Sequence, residues 1–223
     1  MRGFDIEQIR MRSFQISGLT AKWGIGGGRS PIWDNNLVGR WDARTFPDGA
    51  LTTIPNTATL AGKAPDLTVT GATMASGTLQ LDGVDDYAET AAFVFPERFT
   101  VFWDVDWLGD KNKAVGIVHP LSLYMYNYAA SGDIQCIIKN TSGATSIPST
   151  SVGLSTNGNV YAQDGSSTPY GGVIGTGVSP GYALSIARRG AVFTQMGFRQ
   201  LLIFNKELSQ AEVNDVLRVM FPA

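Results

Sequence analysis

Two short stretches constrain this chain most. Residues 79–89 read as strand, acidic turn, strand: Leu79 and Leu81 alternate with Gln80, and Asp82-Gly83 is a tight-turn pair in which glycine takes positive φ freely. Residues 201–212 read as a buried strand running straight into a capped helix. Ser209 is placed to cap and Glu212 sits at the third helical position. Val213, Val216, Leu217 and Met220 then recur at helical spacing.

From Pro31 onward the pattern is short strands separated by turn signals, the spacing of an all-β sandwich. Strands are predicted near 37–42, 67–69, 79–81, 87–90, 99–107, 114–118, 122–128, 134–139, 160–163, 182–187 and 198–204. Asp164-Gly165 is a further hairpin turn, and 141–158 and 165–180, rich in Ser, Thr and Gly, are expected as long surface loops. Residues 1–30 stand apart. Asp5 caps a single helical turn over residues 6–9, Phe14 and Ile16 alternate, and 24–28 is a glycine-rich hinge. So short a segment cannot bury its own Phe4, Ile6, Ile9, Phe14 and Ile16. These are expected to pack on the main domain, on a sister chain or on another protein. The chain therefore divides into an anchoring segment, 1–30, and a sandwich, 31–223.

The formal charge is −2 and only 16% of residues are charged, with 26 glycines, a turn-rich globular composition rather than a disordered one. That balance gives no draw toward nucleic acid or an anionic membrane, and Arg188-Arg189 is the only adjacent basic pair. Cys136 is the one cysteine, so no disulfide forms within the chain, and its apolar strand setting marks it as a core residue. The N-terminus lacks the apolar core of a signal peptide, and no run is long enough to span a bilayer. The expectation is synthesis in the cytoplasm followed by assembly or release by another route.

The hairpin at 79–89 resembles the "L-x-F-D-G-x-D-D-Y" element of the laminin-G-like/concanavalin-A-like family, and 208–212 resembles its "L-S-x-x-E" helix turn. Residues 98–103 are similar to the family's "sfTvsfWv" strand, and 159–165 to its "v-x-L-Y-V-D-G" hairpin. Residues 196–203 are similar to its "f-x-G-x-I-D-x-v-x-i" strand, although Gln200 stands where an acidic residue is common. The resemblance covers roughly residues 37 to 219. It implies a two-sheet antiparallel β-sandwich, a concanavalin-A-like jelly roll, with a short C-terminal helix. It implies little about the ligand.

Catalytic members of the wider group carry a Glu-x-Asp-x-(x)-Glu strand that sets a nucleophile and an acid on one face. The glutamates here are Glu7, Glu89, Glu97, Glu207 and Glu212, and none has Asp two residues on. His119 is the only histidine and no G-x-S-x-G elbow accompanies it, so it reads as structural. Calcium at a loop edge is a family trait, and Asp82, Asp85 and Asp86 are the candidate ligands; the alternative is that they shape the turn.

One further constellation combines Tyr124, Tyr126 and Tyr128 with Asp104 and Asp106. Period-two geometry puts the tyrosines on one face of their strand, and sets both aspartates opposite Val101, Trp103, Val105 and Trp107 on theirs. On a shared outer face these five would make a sugar platform; the alternative is that the tyrosines lie beneath the N-terminal segment or a sister subunit. The expectation is a binding or assembly module and not an enzyme: a phage virion component such as a head fibre or tail adhesin, homo-oligomeric, with a trimer as one natural form. The alternative is a carbohydrate-binding lectin tied to no particle.

Overall fold

Alternating apolar and polar residues drive most of this chain into strands that pair antiparallel in two sheets. The computed structural model describes residues 32–108, 116–120, 123–127, 134–138, 145–148, 150–169 and 181–222. The anchoring segment, with Phe4, Ile6, Ile9, Phe14 and Ile16, lies outside them, as does Tyr128. The described residues begin with a one-turn helix α1 (Ile32–Asn35) and β1 (Leu37–Asp42), followed by a 3-10 turn over Ala43–Thr45. Short strands β2 (Gly49–Ala50), β3 (Thr53–Ile54), β4 (Leu67–Thr70) and β5 (Thr73–Ala75) come next. The signature hairpin is β6 (Thr78–Asp82) and β7 (Tyr87–Thr90). Then come β8 (Thr100–Trp107), β9 (Gly116–His119), β10 (Leu123–Asn127), β11 (Ile134–Ile138) and β12 (Thr145–Ile147). The last third holds β13 (Ser151–Ser155), β14 (Asn159–Ala162), β15 (Ser167–Pro169), β16 (Ser185–Ile186), β17 (Arg188–Arg189), β18 (Val192–Phe193), β19 (Gln195–Phe204) and α2 (Gln210–Met220).

The first sheet runs β15-β14-β13-β8-β19-β6-β5-β2, with β1 also paired to β19; the second runs β12-β11-β10-β9-β16-β7-β4-β3. Their inner faces bury one shared core, including Trp41, Leu79, Leu81, Phe99, Val101, Trp103, Ile117, Met125, Phe198, Leu201 and Ile203. A second apolar cluster lies on the outer face of the first sheet, where α2 packs Val213, Val216, Leu217 and Met220 over Phe102, Leu202 and Phe204. Ser209 closes the expected capping box with Glu212. The Thr100 hydroxyl fixes the link into α2, donating to the Lys206 carbonyl at 2.9 Å and accepting from the Leu208 N–H at 3.0 Å.

Strand β19 pairs with β8 along nearly its whole length, with β6 through its first half and with β1 through its second. Its register against β8 skips Arg199: Phe198 faces Val105 and Gln200 faces Asp104. This is a β-bulge, and it reverses the alternation. Before it Met196 and Phe198 point into the core; after it Leu201 and Ile203 do.

Residues 141–158 are not simply loop. They contain β12 and β13, and β13 lies inside the first sheet beside β8. Its small polar sequence hides this, but the register explains it. Gly153 sits between Phe102 and Tyr161, whose rings stack across it at 5.9 Å. A Cβ there would come 2.5 Å from the Phe102 ring. Gly153→Ala is therefore expected to destabilise the fold by about 1–3 kcal/mol, read as a lowered urea midpoint; an unchanged midpoint would refute this packing.

Candidate functional site

Helix α2 covers only one end of the first sheet's outer face, and the uncovered end carries charge. Because β8 alternates, Asp104 and Asp106 project outward from it, as period-two geometry predicts. Because the bulge adds a residue to β19, Arg199 and Gln200 are consecutive yet both serve this face. Arg199 binds both carboxylates, donating from Nε to Asp104 at 2.7 Å and from Nη1 and Nη2 to Asp106 at 2.5 and 2.9 Å. That forked contact holds the Asp106 carboxyl below its ordinary range and raises the guanidinium pKa, with the Asp106 hydrogen bonds the largest cause. Gly197 leaves room for the pair, since a Cβ there would lie 3.3 Å from an Asp106 oxygen.

A second polar group adjoins this one. Asp42 caps the 3-10 turn, accepts from Arg44 Nη2 at 2.9 Å and accepts from buried Gln200 at 2.9 Å. The Asp42 contact raises the Arg44 pKa, and Arg44 also donates to the Met220 carbonyl at 2.7 Å, tying the turn to the C-terminal end of α2. Gln200, the departure from the family's acidic position, thus bonds to Asp42 directly across the β1–β19 register.

Beside Asp104 and Arg199 runs a trough of about 470 Å³. Thr150 and Val152 line it on the β13 side, Gln163 and Asp164 reach in from the β14–β15 turn, and Phe221 closes the end beyond α2. It continues into a recess of about 370 Å³ that shares Gln163, Asp164 and Phe221 and adds Asn214 and Arg218 from α2. The turn is locally built. Asp164 Oδ1 accepts from the Ser166 hydroxyl at 2.6 Å and its N–H at 2.8 Å, which lowers the Asp164 pKa, the hydroxyl contributing most. Gln210 Nε2 donates to the Gly165 carbonyl at 2.8 Å, pinning the turn to α2. The trough thus offers an aromatic ring, amide and guanidinium donors, and carboxylate acceptors. Asp104 and Asp164 line the trough with the cation Arg199, and Arg218 lines the adjoining recess.

Tyr124 and the two aspartates of the expected sugar platform do not share a face, and Tyr128 lies outside the described residues. Asp104 and Asp106 belong to the outer face of the first sheet, whereas β10, carrying Tyr124 and Tyr126, belongs to the second. Leu123 and Met125 point into the shared core, so Tyr124 faces outward on the opposite side of the sandwich from the aspartates. Tyr126 occupies the register position opposite Gly116 and Gln135. Arg199, Gln163 and Phe221 were not anticipated. The one legible signal was the doubled polar pair Arg199-Gln200 inside an apolar strand, which breaks period two as a bulge does.

The carboxylate oxygens of Asp82, Asp85 and Asp86 approach within 4.8 Å of one another. Asp82 accepts from the Val84 N–H at 2.7 Å, which holds its pKa down, and Asp86 accepts from the Asp82 N–H at 3.1 Å, while burial pushes its own pKa up. These are hard-oxygen donors suited to calcium, and the turn's own hydrogen bonds already account for their convergence.

His119 is wholly buried among Phe93, Phe95 and Tyr182, with ring centroids 5.1, 4.8 and 6.3 Å away. Nε2 lies 3.3 Å from the Phe93 carbonyl, and Nδ1 has no hydrogen-bond partner among the described residues. Burial lowers its pKa, which favours the neutral ring in the core.

No protein-family model and no curated protein matches this sequence. Solved structures do match. Trypanosoma rangeli sialidase in complex with sialic acid is similar over 83% of this chain and 33% of its own, with a TM-score of 0.58 at 14% identity. A point mutant of HCR/D is similar over 86% of this chain and 52% of its own, with a TM-score of 0.61 at 14% identity. The receptor binding domain of botulinum neurotoxin C/D mosaic serotype is similar over 82% and 51%, with a TM-score of 0.54 at 12% identity. The likeness is one of fold. The chain spans a third of the sialidase and about half of the other two. Among the described residues no helix is long and apolar enough to cross a membrane.

The buried histidine makes stability pH-dependent. Its folded pKa lies below the ordinary value of about 6.5, so below that pH the unfolded chain takes up a proton the native ring refuses. Stability should fall as pH drops from 7.5 to 5.5, and His119→Gln should flatten that slope in urea unfolding. Equal slopes in both proteins would show that the ring titrates normally in the fold.

Proposed function

We propose that this chain is a non-catalytic carbohydrate-binding β-sandwich module whose trough on the first sheet takes an uncharged oligosaccharide. The observation that carries the reading is the convergence of Phe221, Gln163 and Asp164 beside the Asp104–Arg199 pair. An aromatic ring gives a sugar ring a face to stack on, and the amide, guanidinium and carboxylates are donors and acceptors for hydroxyls. An excess of carboxylates over cations disfavours an anionic sugar in this trough. Similar sandwiches include a sialidase solved with sialic acid and a neurotoxin receptor binding domain, which supports recognition as the role of the fold.

Binding is favoured over hydrolysis by the state of the carboxyls. Sugar cleavage needs one carboxyl held protonated near neutral pH. Asp106 and Asp164 are both shifted the other way, and Asp104 is engaged by Arg199. The wider setting proposed from the sequence, a homo-oligomeric decorating component or adhesin of a virion, rests on the apolar residues of segment 1–30 together with the lack of a signal-peptide pattern, the single cysteine and the lectin-like sandwich.

A glycan array with the full-length protein, run with calcium and with a chelator, tests the reading. Uncharged oligosaccharides should bind, and Phe221→Ala should weaken them about three- to tenfold, the worth of one aromatic contact. Asp164→Asn, on an exposed turn, should weaken them without loss of fold. An array with no uncharged hit would remove the proposal; loss of signal with the chelator alone would assign calcium to Asp82, Asp85 and Asp86.

A further inference from the structure

The outer face of the second sheet carries a feature that the trough does not explain. After β16 the chain turns off the sheet at Ala187, a fully buried residue at φ +63°, a conformation that residues with a Cβ avoid. Its N–H donates to the Gly116 carbonyl at 2.7 Å and its carbonyl accepts from the Thr194 N–H at 3.0 Å, closing the base of the β17–β18 hairpin. Backbone strain held in place by such contacts concentrates at sites where the chain must present a particular group. The group presented here is the adjacent basic pair, Arg188-Arg189.

The two arginines splay to opposite sides. Arg188 lies 4.1 Å from the ring centroid of Tyr87 on β7, and its Nη1 is 3.8 Å from Glu89. Arg189 lies 4.6 Å from the ring centroid of Tyr124 on β10, and its Nη1 donates to the Tyr124 hydroxyl at 2.5 Å. Strands β7 and β10 are separated by β16 and β9, so they lie three inter-strand spacings, roughly 14 Å, apart across the sheet. They differ in one decisive respect. Arg188 has a carboxylate partner, and exposed Arg189 has none among the described residues. Its ring contact and single hydrogen bond fix the guanidinium while leaving most of its five donors for another molecule. Val192, opposite Arg189 in the hairpin and 45% exposed, adds an apolar shoulder.

We infer that Arg189, held on Tyr124, anchors the carboxylate or sulfate of an acidic glycan at a second site, on the opposite side of the sandwich from the trough. A planar guanidinium with free in-plane N–H groups matches either anion through paired hydrogen bonds. A nucleic acid fits less well. Its charge is dense and regular, whereas among the described residues Arg189 is the cation of this hairpin without a carboxylate partner, with Glu89 on the same face and a net negative chain behind it. The inference is independent of the trough: either site can fail without the other.

The test is calorimetry on the full-length protein with three probes: a heparin-derived hexasaccharide, a hexameric oligogalacturonide and uncharged cellohexaose. At least one acidic probe should bind, more weakly in 300 mM than in 50 mM salt. Heparin alone would assign sulfate, and oligogalacturonide alone would assign carboxylate. Arg189→Gln should weaken that binding about tenfold, the loss of one charge-assisted contact, while Phe221→Ala leaves it unchanged. If Arg189→Gln fails to fold, Tyr124→Phe keeps the ring, removes the hydroxyl that orients the guanidinium, and should weaken the acidic probe severalfold. No binding of either acidic probe, full binding by a folded Arg189→Gln or Tyr124→Phe protein, or equal displacement by an oligo-dT strand would overturn the proposal.

Discussion

The extra residue in β19 decides what each face of the first sheet becomes. Without the bulge at Arg199, the apolar residues on one side of it would point to solvent whenever those on the other side pointed to the core. With it, Met196, Phe198, Leu201 and Ile203 all enter the inter-sheet core, while Leu202 and Phe204 serve the cluster under α2. The same insertion gives the outer face two consecutive polar residues. Arg199 reaches the aspartates of β8 and Gln200 reaches Asp42 of β1. A half-buried cation between two carboxylates is costly to leave unpaired, so these pairings lock the register of three strands together and leave an ordered polar floor beside the trough.

The sandwich consequently has two outer faces of different chemistry. The first sheet is sealed by α2 at one end and presents carboxylates, an amide and a phenyl ring at the other. The second carries a short hairpin whose arginines lie on tyrosines. Both draw on the same economy of sheet folds: a strand spends alternate residues on the core, and the remainder are free to differ. The three solved structures compared above share this architecture at 12 to 14% identity, so what they have in common with this chain is the fold.

Much of the fold was legible because it follows period. Strands β1 and β7 fall where alternation predicts, and the capping box of α2 is set by Ser209 and Glu212 alone. Strand β13 was hidden because Gly153 is chosen for what it lacks: its missing side chain lets Phe102 and Tyr161 stack. The outward placement of Asp104 and Asp106 was also legible, whereas their partner was not. Which strands share a sheet is decided by long-range pairing, and nothing local to β8 or β10 says that they part company. Phe221 and Gln163 line one trough only because α2 folds back over the sheet and brings together residues far apart in the chain.

The central claim is that the polar floor made by the bulge serves a sugar-binding trough. Side-chain Nε–Hε resonances of arginine report it most directly, because Arg199 donates its Nε–H to Asp104 at the trough floor. Titrating the labelled full-length protein with cellohexaose should shift the Arg199 signal and backbone amides at Gln163, Asp164 and Phe221, leaving Arg189 in place. Perturbation at Arg189 with Arg199 silent, or no perturbation at either, would contradict the account.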